Sequence, residues 1–258
     1  MRRATGIAAV LALALAGSAS AAQKRSPLVV RGEHLFGQYC VACHGMNGSG
    51  VTKPKTIGNG PGRQQIQQQA VAPSLRGVGA RAADFYLRTG YMPLQRLGLQ
   101  PRRSRVLFDE QQLRALIAYV ASLGAGPPVP VPHPARGNLS EGQHLFTENC
   151  AGCHQVVAEG GYVTGAVPPP LEDATATQVA EAVRIGPNVM PRFSRKAISP
   201  KELDSLIAYV QYAKHPDDRG GWALGHLGPL PEGLITWFVA AAALIVTCMA
   251  IGKRLKSE

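Results

Sequence analysis

The chain has 258 residues, a formal net charge of +11 and five cysteines, a length that suits one large domain or two small ones. Four of the cysteines form two C-x-x-C pairs, so the sequence does not describe a disulfide framework. Residues 22–126 contain 14 Lys/Arg and 4 Asp/Glu, whereas residues 137–219 contain 7 and 10. No aromatic or Gly-rich recognition element accompanies the basic half. We therefore expect an acidic protein partner, an anionic surface or a merely solvated face there, and no nucleic acid.

The first 21 residues are typical of a secretory signal peptide. Arg2 and Arg3 precede a short apolar run, Ile7–Ala16, and Ala19-Ser20-Ala21 fits an A-x-A cleavage site. The run is too short to span a bilayer comfortably, although an uncleaved signal anchor stays open. In either case we expect the following domain to be exported.

A C-x-x-C-H motif occurs twice, as Cys40–His44 and as Cys150–His154. It is the attachment signature of c-type haem, in which each cysteine forms a thioether and the histidine lies under the iron. We predict covalent haem at Cys40, Cys43, Cys150 and Cys153, with His44 and His154 as proximal iron ligands. A zinc site would need both pairs, which are 110 residues apart. A redox dithiol would leave both histidines unexplained.

The motifs lie in two copies of a longer repeat. Gly32, His34, Leu35 and Phe36 reappear as Gly142, His144, Leu145 and Phe146. We predict that each copy begins with a helix that ends in the motif, over residues 32–44 in the first copy. Because Phe36 and Cys40 are four residues apart, they share a helix face, and the ring is expected near the haem edge. The histidines that precede the cysteines on this helix are poorly placed to be the sixth iron ligand.

A polar loop is predicted for residues 45–72 and a short helix for residues 80–89. Met-Pro then follows in both copies, at Met92 and at Met190. Each methionine follows its motif by tens of residues and is the predicted distal iron ligand of its copy. A thioether is a soft, neutral ligand that raises the haem potential. Met1 is the initiator, Met46 is two residues past the proximal histidine and Met249 lies in an apolar tail. The alternative is a methionine that fills a gap in the core.

Each copy closes with an amphipathic helix that contains Leu-Ile-Ala-Tyr-Val and the i, i+3, i+4, i+7 apolar pattern. The two predicted helices span residues 109–123 and 199–213. Asp109 with Gln112, and Ser199 with Glu202, are typical of capping boxes. Together with the motif helix, each closing helix provides the two crossing terminal helices of a small cytochrome c fold.

Residues 127–136 contain five prolines and are predicted to form an extended, stiff linker. Residues 234–252 contain no charge, and as a helix they would be about 28 Å long, enough to cross a hydrocarbon core of about 30 Å. Lys253, Arg254 and Lys256 follow, so the positive-inside rule places the C-terminus in the cytoplasm. A buried helix of a soluble protein is the alternative.

Several stretches resemble a known family. They are Pro73–Ala80, Thr89–Leu94, Met190–Ser194 and the approach to the apolar tail at residues 220–233. With the two motifs, they resemble cytochrome cc, the dihaem cytochrome c subunit of the actinobacterial-type menaquinol–cytochrome c reductase (cytochrome bcc complex). A Gln-rich insert at residues 62–70 makes the first haem loop longer than the family pattern.

The resemblance implies an all-α fold with two tandem class I cytochrome c domains followed by a single C-terminal transmembrane helix, and two covalently bound haem c groups. The predicted division is a signal peptide (1–21), cytochrome c domain 1 (22–126), a Pro-rich linker (127–136), cytochrome c domain 2 (137–219), a juxtamembrane segment (220–233), a transmembrane helix (234–252) and a cytoplasmic tail (253–258).

The resemblance also implies an electron relay in which a Rieske iron–sulfur centre is the donor and a terminal cytochrome c oxidase the acceptor. The expected partners are the cytochrome b and Rieske subunits, the oxidase and membrane lipid. The chain would be the electron-transfer subunit of the reductase, a translocase, without substrate chemistry of its own. It would be single-pass in the cell membrane, with its haem domains outside the cytoplasm. A subunit of another membrane dehydrogenase or oxidase, and a dihaem peroxidase, stay open.

Overall fold

The structure, a computed structural model, describes residues 25–57, 65–94, 100–216 and 229–255. The predicted signal peptide and most of the predicted juxtamembrane segment lie outside these residues. The helices are α1 (Pro27–Tyr39), α2 (Val41–His44), α3 (Gly79–Arg88), α4 (Glu110–Ser122), α5 (Leu139–Asn149), α6 (Ala151–His154), α7 (Ala176–Ile185), α8 (Pro200–Ala213) and α9 (Pro229–Leu255). One hairpin of two strands, β1 (Val51–Ile57) and β2 (Gln65–Ala72), joins them. The predicted helical fold class is confirmed.

The chain separates into two compact units. Of the described residues, those up to Asp84 and those of Leu107–Pro128 form the first unit, and those of Phe85–Val106 and from Val129 onward form the second. The segment 85–106 therefore follows the first motif in sequence but packs in the unit that contains the second motif. The domain boundaries predicted from the sequence contain no such exchange.

In the first unit, α1 crosses α4 at Gly32, which has no side chain. A Cβ added at Gly32 would overlap the carbonyl oxygen of Ala115, so glycine is what allows the two backbones to approach this closely. One turn further along α1, the Phe36 ring packs on Tyr119 with 5.1 Å between the ring centroids. Both rings are almost fully buried, as is Leu116.

The second unit repeats this crossing with α5 and α8. A Cβ at Gly142 would overlap the carbonyl oxygen of Ser205. The Phe146 and Tyr209 ring centroids lie 5.3 Å apart, and Phe146 belongs to a buried apolar core. The repeat seen in the sequence is thus a structural repeat, and the Leu-Ile-Ala-Tyr-Val segments supply the tyrosine of each crossing.

The caps predicted for the closing helices are present. The Asp109 side chain accepts a hydrogen bond from the Gln112 N–H at 2.8 Å, and the Gln112 side chain accepts one from the Asp109 N–H at 3.0 Å. Ser199 and Glu202 form the same reciprocal pair at the start of α8. These capping boxes fix where each closing helix begins, because they satisfy backbone N–H groups that have no partner within the helix.

The motif helix is not continuous as predicted. It breaks at Cys40, which has φ −118° and ψ −28°, and the motif continues as the separate one-turn helix α2. The Cys40 N–H still donates to the carbonyl of Phe36 at 2.9 Å. The break redirects the chain at the first cysteine of the motif, and Cys150 has nearly the same geometry in the second copy.

Part of the predicted 45–72 loop is the β1–β2 hairpin. The strands are antiparallel, with Val51 opposite Ala72 and Ile57 opposite Gln65. Valine, isoleucine and threonine favour strands, whereas the glycines and glutamines around them favour the predicted loop. At the base of the hairpin, the Leu75 N–H donates to the carbonyl of Gly48 at 2.8 Å. This hydrogen bond joins the two ends of the segment that contains the hairpin.

The Pro-rich segment belongs to the second unit from residue 129 onward and contacts α8 at its end. The His133 N–H donates to Asp204 at 2.7 Å, and the Asn138 N–H donates to the Ser205 hydroxyl at 2.9 Å. The segment therefore forms part of the second unit, where the sequence suggested only an extended spacer.

Helix α9 is 27 residues long, or about 40 Å at the α-helical rise. Among the described residues it is the one helix that is long and apolar enough to cross a membrane. None of its apolar stretch is buried in the protein, and Trp237 and Phe238 are more than 60% exposed. The alternative of a buried helix in a soluble core is therefore contradicted.

Candidate haem-binding sites

Both C-x-x-C-H motifs have the same backbone geometry. The His44 N–H donates to the carbonyl of Cys40 at 2.9 Å, and the His154 N–H donates to that of Cys150 at 2.9 Å. One helical turn therefore places the two cysteines and the histidine of each motif on neighbouring positions of one face. This arrangement suits two thioethers and one axial ligand from five consecutive residues.

A backbone carbonyl orients each motif histidine. Nδ1 of His44 lies 3.1 Å from the carbonyl oxygen of Pro73, and Nδ1 of His154 lies 3.1 Å from that of Pro169. Because a carbonyl can only accept, Nδ1 is the donor and a neutral ring keeps its lone pair on Nε2. Such a contact fixes the tautomer and orientation of a metal-binding imidazole. These two prolines were not predicted from the sequence, although Pro-x-Leu follows each motif and is a usable signal.

The environment of the second motif favours a neutral imidazole ligand. Burial is the largest influence on His154 and lowers its pKa, opposed by the hydrogen bond to Pro169. His154 is 9% exposed, so the cationic form would be poorly solvated. Metal binding requires the neutral form, which is the form that burial stabilises here.

The cysteines do not resemble those of a redox dithiol. Burial, followed by the neighbouring motif cysteine, raises the pKa of Cys40 and of Cys150 to about 11. Reactive dithiols instead have a thiolate stabilised by a lowered pKa. Zinc is also disfavoured, because the described residues contain no group of three or more His, Cys, Asp or Glu side chains that could hold a metal ion.

One cleft of the second unit brings the predicted ligands of the second copy together. Cys150, Cys153, His154 and Met190 all line it. The walls of the cleft are largely apolar, as in most cofactor sites. The Phe146 ring also lines it, as expected for a phenylalanine near a haem edge. The donor set and the largely apolar wall fit a haem attached to this motif.

The loop that contains Met190 is fixed to helix α7. The Met190 N–H donates to the carbonyl of Pro187 at 3.0 Å. Arg184, which is largely buried, donates to the carbonyls of Phe193 at 3.3 Å and Ser194 at 2.8 Å. Met190 is half-buried against the apolar core. These contacts hold the methionine at the cleft, where a thioether could reach an iron.

The predicted ligands of the first copy fall in different units. Cys40, Cys43 and His44 belong to the first unit, whereas Met92 belongs to the 85–106 segment of the second. The Met92 N–H donates to the carbonyl of Tyr86 at 3.0 Å. The assignment of Met92 to the iron held by His44 stays a prediction. Met46, which its position in the sequence excludes as an iron ligand, is 74% exposed.

The histidines that precede the motif cysteines lie on the helix surface. His34 and His144 are both exposed, and Nδ1 of His144 lies 3.3 Å from a carboxylate oxygen of Glu148. His144 does not line the cleft that contains Met190. Its position therefore agrees with methionine, rather than histidine, as the predicted sixth ligand of the second copy.

One wall of the second cleft was also not predicted from the sequence. Thr89, Tyr91, Gln100 and Arg103 line it together with the residues of the second motif. All four come from the segment that follows the first motif. Nothing in the spacing of the repeat indicated this, because each copy was expected to enclose its own haem.

Two family models match consecutive parts of the chain. The model described as "Cytochrome c" matches residues 29–124. The model described as "Cytochrome C oxidase, cbb3-type, subunit III" matches residues 137–210. Each matched region contains one C-x-x-C-H motif and one pair of crossing helices. The two matches therefore correspond to two cytochrome c domains, which implies covalently bound haem c.

Two similar proteins match nearly the whole chain, and a third matches about two thirds of it. The "Cytochrome bc1 complex cytochrome c subunit" of Corynebacterium diphtheriae is 34% identical, over 92% of this chain and 84% of that protein. The protein of the same name from Mycobacterium bovis is 35% identical, over 96% and 90%. The "Cbb3-type cytochrome c oxidase subunit CcoP" of an Azospirillum species is 26% identical, over 69% and 60%.

Proposed function

The chain belongs to the family of cytochrome c subunits of the cytochrome bc1 complex, and we propose that it is the dihaem electron-transfer subunit of a menaquinol–cytochrome c reductase. In this role it accepts electrons from the Rieske iron–sulfur centre and delivers them to a terminal cytochrome c oxidase. It serves the quinol-oxidising translocase without binding a substrate of its own. Cytochrome b and the Rieske protein are its partners in the complex.

The observation that supports this role most strongly is the shared cleft of Cys150, Cys153, His154 and Met190. When bound, haem c supplies a one-electron iron couple. In the proposal, Cys150 and Cys153 would attach the haem, and its iron would be ligated by His154, which the carbonyl of Pro169 orients, and by Met190. Two protein ligands exclude oxygen and peroxide from an iron, so the arrangement suits electron transfer better than a peroxidase.

The same roles are proposed for the first copy. The proposed haem-linking residues are Cys40, Cys43, Cys150 and Cys153, and the proposed axial ligands are His44, Met92, His154 and Met190. The hydrogen bond from His44 to the Pro73 carbonyl, equal in length to that in the second copy, supports the first proximal ligand. Two haem groups per chain follow from this proposal.

Helix α9 is proposed as the single membrane anchor. Its exposed apolar surface requires lipid or partner helices, and Trp237 lies near one end, where tryptophan favours the membrane interface. Lys253 and Arg254 follow at the other end. By the positive-inside rule, the C-terminus lies in the cytoplasm and both haem domains lie outside it.

A subunit of a cbb3-type oxidase is the second candidate, because the family model matched by residues 137–210 and one relative have that name. The identity to that relative is lower and covers less of both chains. The two functions differ in their partner subunits, which provides a direct test.

The test is affinity purification of the full chain from native membranes, with haem staining and identification of the subunits that co-purify. The proposal expects two covalent haem groups on this chain, together with a cytochrome b and a Rieske protein. The Cys150→Ser and Cys153→Ser double variant should retain only one covalent haem. Co-purification with an oxidase or a dehydrogenase and no cytochrome b would overturn the reductase assignment.

A further inference from the structure

A short segment from the first repeat is clamped onto the loop that surrounds the second cleft. The Gln100 side chain donates to the carbonyl of Val167 at 2.9 Å, and its own carbonyl accepts from the Val167 N–H at 2.9 Å. An amide that uses both its donor and its acceptor on one residue fixes position and direction together. Residues 100–103 are therefore a fixed wall of the cleft.

Arg103 lies at the end of this wall and lines the cleft. Its Nη2 donates to the backbone carbonyl of Asp173 at 3.0 Å, and Nη1 and Nη2 donate to the side-chain oxygen of Gln178 at 3.3 Å and 2.5 Å. Gln178 is 7% exposed and belongs to the capping box of α7. Both acceptors are neutral, so they orient the guanidinium without neutralising its charge. These bonds use three of the five N–H donors, and the two others, on Nε and Nη1, can serve a carboxylate.

A second cation lies beside Arg103. Nζ of Lys214 donates to the carbonyl of Ala174 at 2.6 Å, and Ala174 lines the same cleft. The pKa of Lys214 is lowered, first by burial and then by Arg103, while Asp173 and Glu172 act in the opposite direction to a smaller extent. The N-terminus of α7 adds partial positive charge in the same region. This side of the cleft is therefore prepared for an anion.

We propose that Arg103 is a positioning residue for a carboxylate of the second haem. The inference rests on the proposed function, since it requires a haem at Cys150–His154, and haem has two propionate carboxylates. Arg103 pairs with one of them, and Lys214 reinforces the positive potential. A cation there neutralises the propionate and disfavours the ferric state, so it raises the midpoint potential of the second haem. A residue of the first repeat thus sets the potential of the haem in the second.

The test uses the full chain purified in detergent, with three variants. Arg103→Gln removes the charge, Arg103→Lys retains it without the guanidinium, and Arg102→Gln is the matched control at an exposed neighbour. Midpoint potentials come from an optical redox titration, and Met190→Leu identifies the signal of the second haem. Haem staining and haem content per chain are measured for every variant.

We expect Arg103→Gln to lower the reduction equilibrium constant of the second haem about tenfold, or about 59 mV for a one-electron couple. Arg103→Lys should recover part of the loss, and Arg102→Gln should leave both haem potentials unchanged. Unchanged potentials in Arg103→Gln, or an equal shift in Arg102→Gln, would overturn the inference.

The haem content separates the possible failures. A wild-type chain with no haem at the second motif contradicts the proposed function itself. If Arg103→Gln loses the second haem and Arg103→Lys retains it, the charge is required and the inference is supported. If both variants lose it while Arg102→Gln retains it, Arg103 acts only through its hydrogen bonds to the protein, and the carboxylate role is rejected.

Discussion

Replacing Gly32 by alanine tests how closely the two terminal helices of the first unit cross. The added Cβ would overlap the carbonyl oxygen of Ala115 and lie 2.7 Å from Cβ of Tyr119, where ordinary contacts are 3.4–4 Å. Helix α4 must therefore recede by about 1 Å, a gap that forfeits a quarter to a half of the dispersion energy across it. Phe36 and Leu116 are buried at this crossing, and each contributes about 1.5–3 kcal/mol by burial.

The loss at the crossing is therefore about 1–3 kcal/mol, partly offset by the helix propensity of alanine, about 1 kcal/mol better than glycine. We expect Gly32→Ala to lower the free energy of unfolding by up to about 2 kcal/mol. Gly37→Ala, on the same helix with no atom within 4 Å of the added Cβ, should instead raise it by up to about 1 kcal/mol. The assay is guanidinium denaturation of the full chain in detergent, followed by circular dichroism and haem absorbance. Equal midpoints for the two variants would refute the close crossing.

Three further outcomes are expected. Met190→Leu should lower the potential of one haem and allow its iron to bind carbon monoxide, whereas the exposed Met46→Leu should do neither; absorbance spectra with and without the gas decide this. The hydrogen bonds from Ser199 lower the pKa of Glu202 below 4.5, so its contribution to the cap is complete above pH 4.5 and is lost as the pH falls through the folded value. The stability difference between the wild type and Glu202→Gln, measured by denaturation, should therefore change as the pH falls below 4.5 and stay constant above it. A chain that ends at residue 228 should leave the membrane fraction, and its retention there would point to an uncleaved N-terminal anchor.

The local features of each repeat were predictable because they depend on residues close together in sequence. Capping boxes need a side chain and an N–H three residues apart, so Asp109–Gln112 and Ser199–Glu202 were correct. The helix break at Cys40 and the β1–β2 hairpin were not predicted. In both places the local pattern is compatible with more than one conformation, and the surrounding structure selects one.

The contacts that orient the candidate ligands were harder to predict from the sequence. His44 and Pro73 are 29 residues apart, whereas His154 and Pro169 are 15 apart. The two copies therefore make the same hydrogen bond through loops of different length. A carbonyl acceptor has no side-chain signature, so only the repeated Pro-x-Leu hinted at it.

The sequence by itself determined the two haem-attachment motifs, the candidate methionines, the crossing helices and the apolar tail, because each is encoded by spacing within one segment. Only the tertiary structure decided that the segment 85–106 packs with the second repeat, and that Gln100 and Arg103 form a wall of its cleft. The physical reason is that an internal repeat predicts contacts within a copy. An exchange between copies depends on which surfaces pack together, and here the packing includes hydrogen bonds between residues about 70 positions apart.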